Sequence, residues 1–165
     1  MLRRLTVAAT LALLAVGCAS LEGLRAFIQP PRFEQTPGQR SEIRLNGAGR
    51  GLPTSATVRL WTTVTNPNTF GFTLGTLRGT LHLEGSRAAT VDFPLGLPLQ
   101  AHETTDVPID IVVDFRDLPS LGQTISRAIA RQPIEYELEG TIGVSAGRFG
   151  EPVFGPMTIL RGEVR

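Results

Sequence analysis

Apolar and polar residues alternate with period two along most of the chain, interrupted by Gly or Pro at intervals of roughly eight to twelve residues. Residues 41–45 and 57–65 (TVRLWTTVT) read as strands separated by the turn-rich run Asn46-Gly47-Ala48-Gly49-Arg50-Gly51. Over 70–83, Phe70, Phe72 and Leu74 share one phase while Leu77, Leu81 and Leu83 share the other. Strand alternation cannot change phase on its own, so a bulge or bend is predicted near Gly75. Val107, Ile109, Ile111, Val113 and Phe115 alternate with Asp106, Pro108, Asp110, Val112 and Asp114, as for a strand with one buried and one wet face. Pro108 places that strand at an edge or near its own start. Ile134, Tyr136 and Leu138 against Glu135, Glu137 and Glu139 form a second such strand, and 157–164 is the last.

One segment departs from this period. Leu118, Leu121, Ile125, Ala128 and Ile129 fall on one face at helical spacing, Ser120 with Gln123 has the form of a capping box, and Pro133 stops the turn. A short amphipathic helix is therefore expected over roughly 120–131. The fold class is mainly β: an antiparallel two-sheet sandwich with one short helix.

Composition narrows the chemistry. The 165 residues suit one globular domain, and 41% hydrophobic content with 19% charge excludes a disordered chain. Every basic residue is Arg, so lysine Schiff-base chemistry and a phosphate-loop lysine are excluded. A net charge of +1 gives no electrostatic footprint for nucleic acid. The single Cys excludes a disulfide framework and a multi-thiolate zinc site within one chain.

That Cys stands in an informative place. Met1-Leu2-Arg3-Arg4 is followed by an apolar run ending in Leu14-Ala15-Val16-Gly17-Cys18, too short for the ~20 residues that span a bilayer. The ending resembles the lipobox of bacterial lipoproteins, in which the Cys is acylated and becomes the first residue after cleavage. The expected layout is a signal peptide at 1–17, a lipidated tether at 18–29 and a β-sandwich domain at 30–165, with Pro30-Pro31 as the tether's stiff end. Loss of Arg3 and Arg4 would turn the net charge of +1 into −1. The expected location is the cell envelope, anchored through Cys18, with Ala19 favouring the outer membrane and its periplasmic side.

Reactive constellations are sparse. The glycine-rich run 46–51 is followed by Pro53 and a strand, so no helix N-terminus faces a phosphate. Asp106, Asp110 and Asp114 would stand about 13 Å apart along one strand face, too far to share a calcium ion. Glu135, Glu137 and Glu139, about 6.6 Å apart, point in parallel from one face and read as solubilising charge. His82 is expected outward on a strand and His102 in a turn, with no Gly-x-Ser-x-Gly elbow beside either. Trp61 and Tyr136 read as core packing residues. No catalytic residue, metal or cofactor is expected, and the chain is not read as an enzyme.

The most distinctive segment is Leu60-Trp61-Thr62-Thr63-Val64-Thr65-Asn66-Pro67-Asn68-Thr69-Phe70. Pro67 cannot donate to a ladder and pushes Asn66 towards extended geometry, while Asn66 and Asn68 can bond nearby backbone groups and fix a kink between two strands. This segment resembles the Asn-Pro-Asn motif of the late embryogenesis abundant type 2 family, whose domain is also called the water stress and hypersensitive response (WHy) domain. The surrounding order is similar too: Pro30-Pro31 before a first strand, Phe70-Gly71-Phe72-Thr73-Leu74 after the motif, a turn at Gln100-Ala101-His102-Glu103, then Val107-Pro108-Ile109, the helix and Tyr136-Glu137-Leu138-Glu139-Gly140. The resemblance covers about 30–165 and departs at 80–83, where the family often shows an aromatic. It implies a fibronectin type III-like sandwich, a role in desiccation or other abiotic stress, and no established catalytic residues.

The expected function is a non-enzymatic, lipid-anchored envelope protein that protects or binds proteins or membrane surface. One alternative is a lipid or apolar-ligand carrier, supported by a Pro/Gly loop at 93–99 whose Phe93, Leu95, Leu97 and Leu99 would line a mouth or dip into a bilayer. Another is a structural component of an envelope complex.

Overall fold

The computed structural model describes residues 28–47, 53–115 and 121–165. The expected signal segment, Cys18, the expected tether up to Phe27, much of the glycine-rich run, Leu118 and Ser120 lie outside the described residues. In chain order the elements are β1 (Arg32–Gln35), β2 (Glu42–Asn46), β3 (Ser55–Thr65), β4 (Phe72–Leu83), β5 (Ser86–Leu99), β6 (Thr104–Asp114), α1 (Gly122–Ile129), β7 (Ile134–Ser145) and β8 (Val153–Val164). A 3-10 turn at Gly147–Phe149 joins β7 to β8.

Two antiparallel sheets result. In the first, β3 is central: β6 pairs with its whole length on one side, while β2 (against 55–59) and β1 (against 62–65) share the other side end to end. The second sheet has the order β5-β4-β7-β8. The inward residues alternate as period two requires. Ala56, Val58, Leu60 and Val64 of β3 and Ile109, Ile111 and Val113 of β6 share the core with Leu74, Leu77, Leu81 and Leu83 of β4 and Ile134, Tyr136, Leu138 and Ile142 of β7. Each such side chain contributes about 1.5–3 kcal/mol by leaving water, which is what holds two otherwise separate sheets face to face.

The predicted phase change near Gly75 is a register shift: β4 slips against β5 between Leu74 and Thr76, and against β7 between Leu74 and Leu77. The extra residue lets both apolar phases of β4 point inward. Elsewhere β4 and β7 approach so closely that Gly79 and Gly140 face each other, and a Cβ on either would meet the opposite strand's backbone.

The two seams between the sheets differ. On the β8 side, Ile43 N–H donates to the Arg165 carbonyl (3.2 Å), Arg165 N–H donates to the Ser41 carbonyl (3.5 Å), and Gln35 Nε2 donates to the Tyr136 hydroxyl (2.9 Å). On the other side, β5 and β6 lie next to each other without a ladder. Pro94 and Pro98 on β5 and Pro108 on β6 fit these edge positions, since proline cannot donate within a ladder.

Helix α1 closes one end. Leu121 and Thr124 are buried, and Ile125 and Ala128 pack on the core. Ile129, expected on the same face, is instead 54% exposed: the buried stripe runs 121, 124, 125, 128, and Thr124 takes the place assigned to Ile129. Ser120 of the expected capping box lies outside the described residues. Leu121 occupies the N-cap position and makes no side-chain cap bond. At the other terminus Arg131 adopts φ +53°, so a left-handed residue turns the chain before Pro133 is reached. Glu84, at the β4–β5 turn, ties the helix down by accepting from Arg127 Nη1 (3.1 Å) and from the Glu135 N–H (3.0 Å).

Two further expectations are corrected. Trp61 is not a core residue: it lies one position out of phase with Leu60 and Thr62 and belongs to the outer face, opposite Pro108 of β6. Residues 93–99 are not a loop but the second half of β5, paired with β4 from Phe93↔Leu77 to Leu99↔Phe72. The Pro and Gly residues that suggested a loop are tolerated because β5 is an edge strand.

Candidate functional site

The Asn66-Pro67-Asn68 corner lies between β3 and β4. Pro67 ends the ladder, and Asn66, fully buried, answers the backbone groups that a chain reversal leaves open. Its Nδ2 donates to the carbonyls of Phe70 (2.8 Å) and Gln100 (2.8 Å), and its Oδ1 accepts from the N–H (2.9 Å) and Nδ2 (3.0 Å) of Asn68. Asn66 N–H donates to the Glu103 carbonyl (2.9 Å). Asn68 in turn pairs with the backbone of Gln29 in both directions: Oδ1 accepts from the Gln29 N–H (2.8 Å) and Nδ2 donates to its carbonyl (2.9 Å).

One tripeptide therefore clamps three pieces of chain: the lead-in at Ile28 and Gln29, the start of β4, and the β5–β6 turn. His102 completes the turn with φ +58° and an N–H donated to the Asn68 carbonyl (3.2 Å). Among the described residues, no buried side-chain nitrogen or oxygen lacks a partner. Both Asn66 Nδ2 protons, both Asn66 Oδ1 lone pairs and both Asn68 Nδ2 protons are engaged within the fold, so the corner's polar atoms serve the architecture.

Beyond Asn68 the clamp continues into an aromatic contact that the alternation pattern does not reveal. Phe70 stacks on Phe149 with ring centroids 4.7 Å apart, and the Arg148 guanidinium lies 5.0 Å from the Phe149 ring centre. Gly147-Arg148-Phe149-Gly150, an aromatic between two positive-φ glycines, is the only trace of this in the sequence.

Phe93, Leu95, Leu97 and Leu99 all occupy the inner face of β5. Leu99 is 1% exposed and belongs to the core, while Phe93, Leu95 and Leu97 are half-buried along the seam with β6.

The titratable residues sit on the outer faces. Asp110 accepts from Nε and Nη2 of Arg59 (2.7 Å each), and that hydrogen bonding, aided by the positive charges of Arg59 and Arg44, holds its carboxyl below the usual value against a partial desolvation. Asp106 accepts from Thr63 Oγ1 (2.6 Å). On the second sheet, His82, Glu135, Glu137, Glu139, Arg161 and Glu163 line an open groove of about 530 Å³. His82 stands opposite Glu137 in register, and Glu137 accepts from Thr158 Oγ1 (3.1 Å). These side chains rise in parallel from adjacent strands, and among the described residues no three His, Cys, Asp or Glu side chains converge to hold a metal.

Known proteins share these elements. A family model described as late embryogenesis abundant protein (LEA_2) matches residues 62–156, more than half of the chain, and takes in the end of β3, the corner and all of β4. The solution structure of AT1g01470 from Arabidopsis thaliana is similar, with a TM-score of 0.55, 22% identity, and coverage of 81% of this chain and 83% of that one. A crystal structure of a protein from Archaeoglobus fulgidus aligns over 76% of this chain and 94% of its own, at 10% identity and a TM-score of 0.46. A solution structure of a candidate late embryogenesis abundant (LEA) protein, At2g46140.1, aligns over 92% of this chain and 84% of its own, at 16% identity and a TM-score of 0.47. Among curated proteins, none matches the chain. The chain belongs to the late embryogenesis abundant protein family (LEA_2).

Proposed function

We propose that this family member is a non-enzymatic protein of the abiotic stress response, held at the cell envelope by an acylated Cys18, that shields proteins or membrane surface through weak contacts of its sheet faces and loops. The observation that supports it most directly is the Asn66–Asn68 corner: the motif's side-chain amides bond to the backbone and to each other, in a structural role. Family membership points to stress physiology, and such proteins are generally without catalytic activity. The lipobox-like Leu14-Ala15-Val16-Gly17-Cys18 supports the anchor. A desiccation-labile enzyme dried with and without this protein tests the reading. Greater recovered activity than with an equal mass of albumin supports it, and equal recovery overturns it.

A second reading has its own observation. The seam between β5 and β6 has no ladder, and half-buried Phe93, Leu95 and Leu97 line it, so the sheets can part there to admit an apolar tail. Native mass spectrometry of protein purified from cells, looking for a co-purified lipid, distinguishes this carrier from a pure shield.

A further inference from the structure

We infer that the sandwich rests end-on against the lipid bilayer, with the β7–β8 tip formed by Arg148, Phe149 and Val153 as its contact. The inference rests on the acylation of Cys18 proposed above and adds to it an orientation and a docking surface.

The strands run between two unlike ends. One is closed by α1 and the Gln132-Pro133 turn. The other gathers the Asn66–Asn68 corner, the β5–β6 turn and the β7–β8 tip, joined by a continuous chain of contacts from Gln29 through Asn68, Asn66 and Phe70 to Phe149 and Arg148. The lead-in enters at this second end and is fixed there: Ile28 is buried in the core, and Gln29 is held by Asn68 through both of its backbone groups.

Geometry then limits the body's position. Nine residues lie between Cys18 and Ile28, so ten Cα-to-Cα steps span at most about 35 Å when fully extended. Twelve-residue strands such as β4 are themselves about 40 Å long. The corner end therefore stays near the surface that holds Cys18; with the body end-on, the helix end stands a strand's length farther away.

Among the described residues Ile129 and Val112 are exposed as well, toward the helix end, so the entry point of the lead-in, and not apolar exposure alone, selects the near end for contact with lipid. Val153 is 67% exposed, which core logic does not require of the first residue of a long strand. Phe149, four residues earlier in the chain, is half-exposed, one side of its ring supported by Phe70. Exposed Arg148 covers Phe149 and can lift its charge to the headgroups while its stem and the ring meet the acyl boundary. Formal charge at this end is balanced: exposed Arg32 and Arg148 face exposed Glu151 and a Glu103 already bonded to the Gln100 N–H, so apolar insertion rather than counter-charge supplies the contact.

The full-length protein, purified from membranes and reconstituted into phosphatidylethanolamine–phosphatidylglycerol vesicles, provides the test. Val153→Cys and, at the far end, Gln132→Cys are each labelled with an environment-sensitive fluorophore, and both positions are exposed enough to accept it. Expected is a blue shift at 153 and loss of most of its emission when the acyl chains carry bromine, with position 132 unchanged. Equal emission at the two positions in protein that floats with the vesicles overturns the end-on contact and leaves anchoring intact. Protein that does not float, and whose wild type takes up dye at Cys18, overturns anchoring and the docking together.

Discussion

Asn66 holds Asn68 twice, its Oδ1 accepting the backbone N–H at 2.9 Å and the side-chain Nδ2 at 3.0 Å. Because Asn68 then reaches Gln29 and Asn66 reaches Phe70 and Gln100, one dipole pair governs how three segments meet. Asn66→Ala should cost about 2–4 kcal/mol, since it leaves buried carbonyls and the Asn68 amide unanswered. Asn66→Asp should cost more, because an acceptor would face the Phe70 and Gln100 carbonyls where a donor now stands. Urea unfolding of the two variants checks both the size and the order.

Gly140 and Gly143, three positions apart on β7, should respond oppositely to alanine. A Cβ at Gly140 meets the Arg78 carbonyl and, at 2.7 Å, the Gly79 Cα, backbone that cannot yield without parting the strands. Gly140→Ala should therefore lose about 3 kcal/mol or more. At Gly143 the nearest atoms are ordinary contacts at 3.6 Å and 3.7 Å, so Gly143→Ala should be neutral or stabilise by up to about 1 kcal/mol through the unfolded chain. Thermal melts of the pair suffice.

Along β5, Leu99→Ala should cost about 2–5 kcal/mol and Leu95→Ala under about 1.5 kcal/mol, because the first is sealed in the core and the second only half-covered at the seam. If the two cost the same in denaturant unfolding, the graded burial along this strand is wrong.

Asp110 sets an acid limit. Its carboxyl is held low chiefly by the hydrogen bonds from Arg59, so its contribution to stability is present above the unfolded value of about 3.9 and is lost as pH falls through the lower folded value. The side chain is 44% exposed, so the effect is small and screened by salt. Asp110→Asn should lower the melting temperature slightly at neutral pH and low salt, and the difference from wild type should shrink as pH falls from the unfolded value of about 3.9 through the lower folded value.

Much of this architecture is legible in the chain. Period-two alternation places β3, β6 and β7 with the right faces inward, and the reversal of phase at Gly75 announces the register shift in β4. Asn66 and Asn68 declare a corner because short amides beside a proline have few other uses. The departures share a cause. Phe93, Leu95, Leu97 and Leu99 do alternate, but Pro94, Gly96 and Pro98 between them suggest a loop; a proline's cost depends on whether its strand is central or at an edge, which is a tertiary property. For Trp61, size points to the core while its phase relative to Leu60 points outward, and phase wins. Ile129 is displaced by Thr124, whose hydroxyl gives no sign of burial. The Phe70–Phe149 stack joins residues nearly half the chain apart and leaves no periodic trace.

Pro94, Pro98 and Pro108 have an effect that goes beyond the single molecule. As a drying compartment concentrates its contents, any sheet margin rich in free amides invites a neighbour's strand, and fibres begin there. Here the margins at β5 and β6 are interrupted by prolines, Pro156 does the same within the β8 edge, and Arg165 at its end is bonded to Ser41 and Ile43. Crowded copies thus have little to polymerise through, and on rewetting they should separate as individual molecules.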